Sequence, residues 1–87
     1  MSESLMILKD KEEEEITAIR MRTGVFYRVA HSRDKEMINA LACRIEDKWI
    51  VMWCLNGGRK NFIHSPIEVI DRFDCVFVEV ASVFLYT

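Results

Sequence analysis

The chain has 87 residues, half of them hydrophobic and 30% charged, with a formal net charge of −2. That length allows one domain spanning 1–87, near the size at which a single core is only just sufficient, and the composition excludes a disordered chain. The longest uninterrupted apolar run, Trp49 to Leu55, is far shorter than the ~20 residues of a membrane-spanning helix.

The charges are segregated along the chain. Through Glu15 there are six acids against Lys9 and Lys11; from Ile16 to Lys60 there are nine bases against four acids; beyond that, four acids face Arg72. A surface of one sign attracts a complementary surface and steers encounter, which a well-mixed surface does not. Residues 1–15 are predicted to be an acidic arm, flexible or helical. The helical version has Asp10 and Glu13 at capping-box spacing, Arg20 and Arg22 in the last turn and Gly24 beyond it. Its apolar face would be little more than Ile16 and Ile19, so a frayed arm followed by a strand from Ile16 to Arg22 is preferred. The apolar patch Leu5 to Leu8 is too short, and lacks the flanks, for an export signal.

Val25 to Ala30 alternates Val25, Tyr27 and Val29 against Phe26, Arg28 and Ala30, which predicts a strand, with Thr23-Gly24 closing a hairpin to the strand before it. His31 to Glu36 is a polar loop. In Met37 to Ile45, helical spacing of Met37, Ile38, Leu41 and Ile45 competes with alternation of Leu41, Cys43 and Ile45; the strand reading is preferred, ending in a tight turn at Glu46-Asp47-Lys48. Trp49 to Leu55 is apolar on both faces and predicts a central strand covered on each side. Asn56-Gly57 marks a hairpin turn, and Arg59 to His64 returns as a shorter strand. Ser65, Pro66 and Glu68 then stand at N-cap, first-turn and capping-box positions of a short helix reaching about Phe73. Cys75 to Tyr86 is a long β-rich run with Val76, Val78, Val80, Phe84 and Tyr86 on one face.

The predicted fold is therefore α+β and β-dominated: a small, mostly antiparallel sheet, or an SH3-like partly open barrel, of five to six strands with one short helix before the last strand. In element order alone the chain resembles small SH3-like barrels.

Cys43, Cys54 and Cys75 each lie in an apolar run and are odd in number, the pattern of reduced, buried thiols in a cytoplasmic protein. Zinc sites usually bring ligands in close pairs, so cysteines separated by 11 and 21 positions predict no metal; no cofactor is expected either. His31 and His64, with Arg28 or Arg59, could serve a small metal-independent ribonuclease, but no nucleophile elbow, phosphate loop or carboxylate pair accompanies them. Asn56-Gly57-Gly58 before Arg59-Lys60 lacks phosphate-loop spacing. No enzymatic activity is expected.

The preferred reading is a small non-catalytic binding protein, an inhibitor or adaptor, that engages a macromolecular partner, a protein in the first place, through a basic sheet surface. Arg20, Arg22, Arg28, Arg33, Arg44, Arg59 and Lys60 form the predicted partner-facing set. A homodimer is expected, since strand surface exceeds what so short a chain easily covers and the long C-terminal strand offers an edge. Antitoxin-like and viral inhibitors share this general composition. The alternative is binding of RNA or another single strand by the same basic face through stacking and phosphate neutralisation, although an isoelectric point near 5.6 is far from that of a typical nucleic-acid binder.

Overall fold

A computed structural model describes residues 5–54 and 60–86, with side chains over 14–54 and 61–81. Among these residues lie six strands, β1 (Leu5–Thr17), β2 (Phe26–His31), β3 (Leu41–Ile45), β4 (Trp49–Cys54), β5 (Lys60–His64) and β6 (Val76–Tyr86), and one short helix, α1 (Pro66–Glu68), which widens into a π turn over Val69–Phe73. The strands form one antiparallel sheet in the order β1-β6-β2-β3-β4-β5. The sheet is open, with β1 and β5 at its edges, and does not close into the barrel considered above. None of its helices is long and apolar enough to cross a membrane among the described residues.

Strand alternation decides the layering. On one face, here called inner, Tyr27 and Val29 of β2, Ala42 of β3, Ile50, Met52 and Cys54 of β4 and Phe77 of β6 are all buried. Over them pack Ala18 and Met21 from the segment after β1, Met37 from the loop before β3, and Val69 and Phe73 from the helical segment. Each large apolar side chain taken from water there contributes roughly 1.5–3 kcal/mol. The core is thus one sheet face roofed by short turns rather than by a long helix.

Local chemistry explains the turns. Ser65 Oγ accepts the Glu68 amide at 3.3 Å and Pro66 opens α1, as the sequence indicates. The segment ends at Asp74, whose φ of 49° lies in the left-handed region. Glu46 and Asp47 also have positive φ, 54° and 60°, in the tight turn joining β3 to β4, where Lys48 N donates to Ile45 O at 3.3 Å. Gly24, with φ 79°, supplies the backbone freedom that lets its amide reach Arg44 O at 2.9 Å.

Five expectations are corrected. The acidic N-terminal arm is not a separate flexible or helical piece: Leu5–Thr17 pairs with β6, with register irregularities around Asp10, because a main-chain ladder is indifferent to side-chain charge and an acidic run is a natural edge strand. The strand expected over Ile16 to Arg22 ends at Thr17 and gives way to a 3-10 turn at Ala18–Arg20. That turn sends the small, fully buried Ala18 into the core. Thr23-Gly24 closes no hairpin between neighbouring strands, since β6 lies between β1 and β2. For the same reason β6 is an interior strand, so it presents no edge to another chain. Finally, β4 is an interior strand next to the edge strand β5, rather than central, and is covered on one face only: Ile50, Met52 and Cys54 are buried, whereas Trp49 is 48% exposed and Val51 and Trp53 are half-buried. The Asn56-Gly57 turn and Arg59 lie outside the described residues.

Candidate interaction surface

Among the described residues the predicted basic set does not assemble on one face. Arg44 of β3 points to the inner side and forks over backbone carbonyls, donating from Nη1 to Ile19 O at 3.0 Å and Met21 O at 3.1 Å, and from Nη2 to Asp47 O at 2.8 Å. Arg33 closes the end of the helical segment, with its amide on Phe73 O at 2.7 Å and Nη1 on Asp71 O at 3.3 Å. Arg22 forms an ion pair with Glu79, and its amide donates to Tyr27 Oη at 2.9 Å. The Tyr27 hydroxyl, and after it the Glu79 carboxylate, push the Arg22 pKa up, so this guanidinium is a fixed cation. Arg20 is exposed on the 3-10 turn. Arg28 projects from the opposite, outer face, paired across the ladder with Leu41 and Val78, and donates to Asn39 Oδ1 at 3.1 Å. Lys60 lies in β5 opposite Cys54, with its side chain outside the described set. Arg20, Arg22 and Arg44 therefore gather around residues 18–24, while Arg28 and Arg33 stand elsewhere.

Arg44 is a backbone clamp as much as a charge. Replacing it by Met keeps the stem but leaves the carbonyls of Ile19, Met21 and Asp47 without their donor, and Arg44→Met is expected to lose about 1.5–3 kcal/mol in urea unfolding. Arg44→Lys should recover only part of this, since an ammonium cannot span both sites as a planar fork does.

The histidines are held apart chemically. His31 Nε2 lies 3.3 Å from Glu15 Oε1 at the exposed surface. His64 pairs with Glu68 and is packed between Phe62, stacked at 6.2 Å, and Phe73 at 5.0 Å. Each ring thus has its own carboxylate partner. The three thiols are buried. Burial pushes the Cys43 and Cys75 thiols up, away from the reactive thiolate, against opposing hydrogen bonds from Gly24 and Ser32 respectively. Among the described residues no three His, Cys, Asp or Glu groups gather as a metal site.

What the sequence did not single out is the outer face itself. Cross-strand pairing places Ile45 beside Trp49, Val51 between Cys43 and Ile63, and Trp53 between Leu41 and Asn61. Phe26 of β2 sits opposite Cys43, and its ring is 6.4 Å from that of Trp53. Four of these side chains are substantially open to solvent: Phe26 at 41%, Ile45 at 43%, Trp49 at 48% and Ile63 at 62%. Scattered apolar residues on a surface need no explanation, but a contiguous patch with aromatic anchors is the usual form of a protein-contact surface. The signal was present in the sequence as apolarity on both faces of Trp49 to Leu55. Two-sided burial of that strand requires a second layer over the outer positions Trp49, Val51 and Trp53, which stay half-buried or exposed.

No protein-family model, curated protein or solved structure matches this chain.

Proposed function

We propose that this chain is a small, non-catalytic, cytosolic binding protein that engages a protein partner, as inhibitor or adaptor, through the outer face of β3, β4 and β5. The observation that carries the reading is the contiguous apolar patch formed by Phe26, Ile45, Trp49, Val51, Trp53 and Ile63. Aromatic side chains supply large contact area at little entropic cost and are enriched where binding energy concentrates. The basic residues of the middle segment act at longer range: Arg33 and Arg44 have their donors on neutral carbonyls and keep their charge for steering an acidic partner toward the domain.

Single-strand binding would set bases beside the aromatics to neutralise phosphates. Of the predicted basic set, only Arg28 stands on the aromatic face among the described residues, which favours the protein reading. The test is capture from a cell lysate by the immobilised chain, comparing the parent with Ile63→Lys. Capture lost in the variant and only modestly weakened by salt is the expected result. Equal capture by both proteins would overturn the reading, as would binding of mixed oligonucleotides whose affinity falls by roughly 0.7 log units per log unit of salt for each phosphate contact.

A further inference from the structure

We infer that the occupant of the outer face is a second copy of this chain, packed sheet against sheet across a two-fold axis. The inference rests on the reading above that this face contacts protein, and it names the partner.

The first ground is architectural. A sheet is stable when its apolar face is covered by another layer. In this chain the inner face has its layer of turns and helical segment, with Ala18, Met21, Met37, Val69 and Phe73 over the strands, whereas on the outer face Leu41 and Cys43 are buried but Phe26, Ile45, Trp49 and Ile63 around them stand open to solvent. A like face from a second copy provides that layer in the aligned sandwich arrangement, about 10 Å away.

Area is the second ground. From their fractional exposure, Phe26, Ile45, Trp49 and Ile63 leave on the order of 400 Å² open, taking roughly 150–250 Å² as the full extent of such side chains. A standard interface takes about 800 Å² from each partner, and homodimer interfaces are about 65% apolar. These four residues, with half-buried Val51 and Trp53 between them, come close to the apolar share that a stable dimer needs.

The third ground is charge. The patch itself carries none: its six residues are all apolar, and Arg28 stands at its border, bonded to Asn39. A charged foreign surface would find nothing complementary there, while an apolar patch is complementary to itself, as an isologous two-fold contact requires. With a net charge of −2, two copies repel each other little. The other exposed isoleucines, Ile19 and Ile67, belong to the 3-10 turn and α1, away from the sheet's outer face, and serve as controls.

Sedimentation equilibrium of the pure full-length protein over a wide dilution series tests the inference. The parent is expected to dimerise. Ile63→Lys and Ile45→Lys, at separate points of the same face, should each weaken the dimer by about 30-fold or more, the effect of a hot-spot position. Ile67→Lys should leave it unchanged, and circular dichroism should show all three variants folded. Two independent positions keep the test decisive if one variant folds poorly. A parent that stays monomeric throughout, or a dimer that survives both outer-face substitutions, overturns the inference. In the monomer case, lysate capture abolished by Ile63→Lys would leave the protein-binding reading standing with a different partner, and capture indifferent to Ile63→Lys would remove both.

Discussion

Phe77→Ala is expected to destabilise the fold by about 3–5 kcal/mol, the cost of emptying a fully buried aromatic site. Phe77 is fully buried on β6, opposite Ile16 on one side and Val29 on the other, so it joins three strands of the sheet. Its ring also meets Tyr27 edge-on, with centroids 6.4 Å apart and planes at 74°, a geometry that adds to simple burial. Domains have about 5–15 kcal/mol of stability in all, and one of 87 residues belongs near the lower end. The variant should therefore be largely unfolded or melt far below the parent in thermal and urea denaturation followed by circular dichroism. A melting point within a few degrees of the parent would place Phe77 outside the core and contradict the assigned layering.

A lysine placed at two alternate sites of β4 should have opposite consequences. Met52 is fully buried on the inner face, and Met52→Lys would bring an ammonium into the apolar cluster that holds Ile50, Val69 and Phe77, while Glu79, a carboxylate on that face, is already paired with Arg22. Burying an unpaired charge costs several kcal/mol, so no folded product is expected. Trp49, three residues earlier, is 48% exposed on the outer face. Trp49→Lys should fold, with a melting point close to the parent's at dilutions where the parent is monomeric, and should be more soluble, since it interrupts the apolar patch. Expression and melting of the two variants side by side measure the one-sidedness of the sheet. Equal damage from both would mean that β4 is covered on each face after all.

Much of the architecture was legible because its signals were local. Alternation marked β2, with Tyr27 and Val29 inward and Phe26 outward, and the Ser65-Pro66-Glu68 cap marked the helix before the last strand. At Met37 to Ile45 the competing periods have a physical resolution: Met37 belongs to a 3-10 turn that sends it into the core, and the strand begins only at Leu41. Pairing was not legible. Nothing local in Leu5–Thr17 says that its partner is the far end of the chain, and a hairpin between sequence neighbours is the natural first expectation where no such long-range information exists. The acidic run misled for a related reason, since charge is informative about burial but not about a backbone ladder at a sheet edge.

The candidate site was only partly legible. Counting basic residues along the chain could not show that Arg44 faces inward to hold Ile19 and Met21 while Arg28 faces outward. A strand's period of two separates neighbouring residues onto opposite faces, and register then decides which side is which. The apolar outer face, by contrast, was visible in Trp49 to Leu55 and misread, because a two-sided apolar strand is equally the signature of an interior strand and of one whose second cover comes from elsewhere.

The most direct measurement uses the chain's own chromophores. Trp49 and Trp53 are its only tryptophans, and both stand on the outer face of β4. Fluorescence emission and acrylamide quenching, followed as the pure protein is diluted, therefore report on that face alone. A covered face in the concentrated protein, opening on dilution, predicts a red shift of emission and a rise in quenching as the concentration falls. Emission and quenching that stay constant across the whole series, with sedimentation at the monomer mass, would contradict the claim that this face is where the protein meets its own copy.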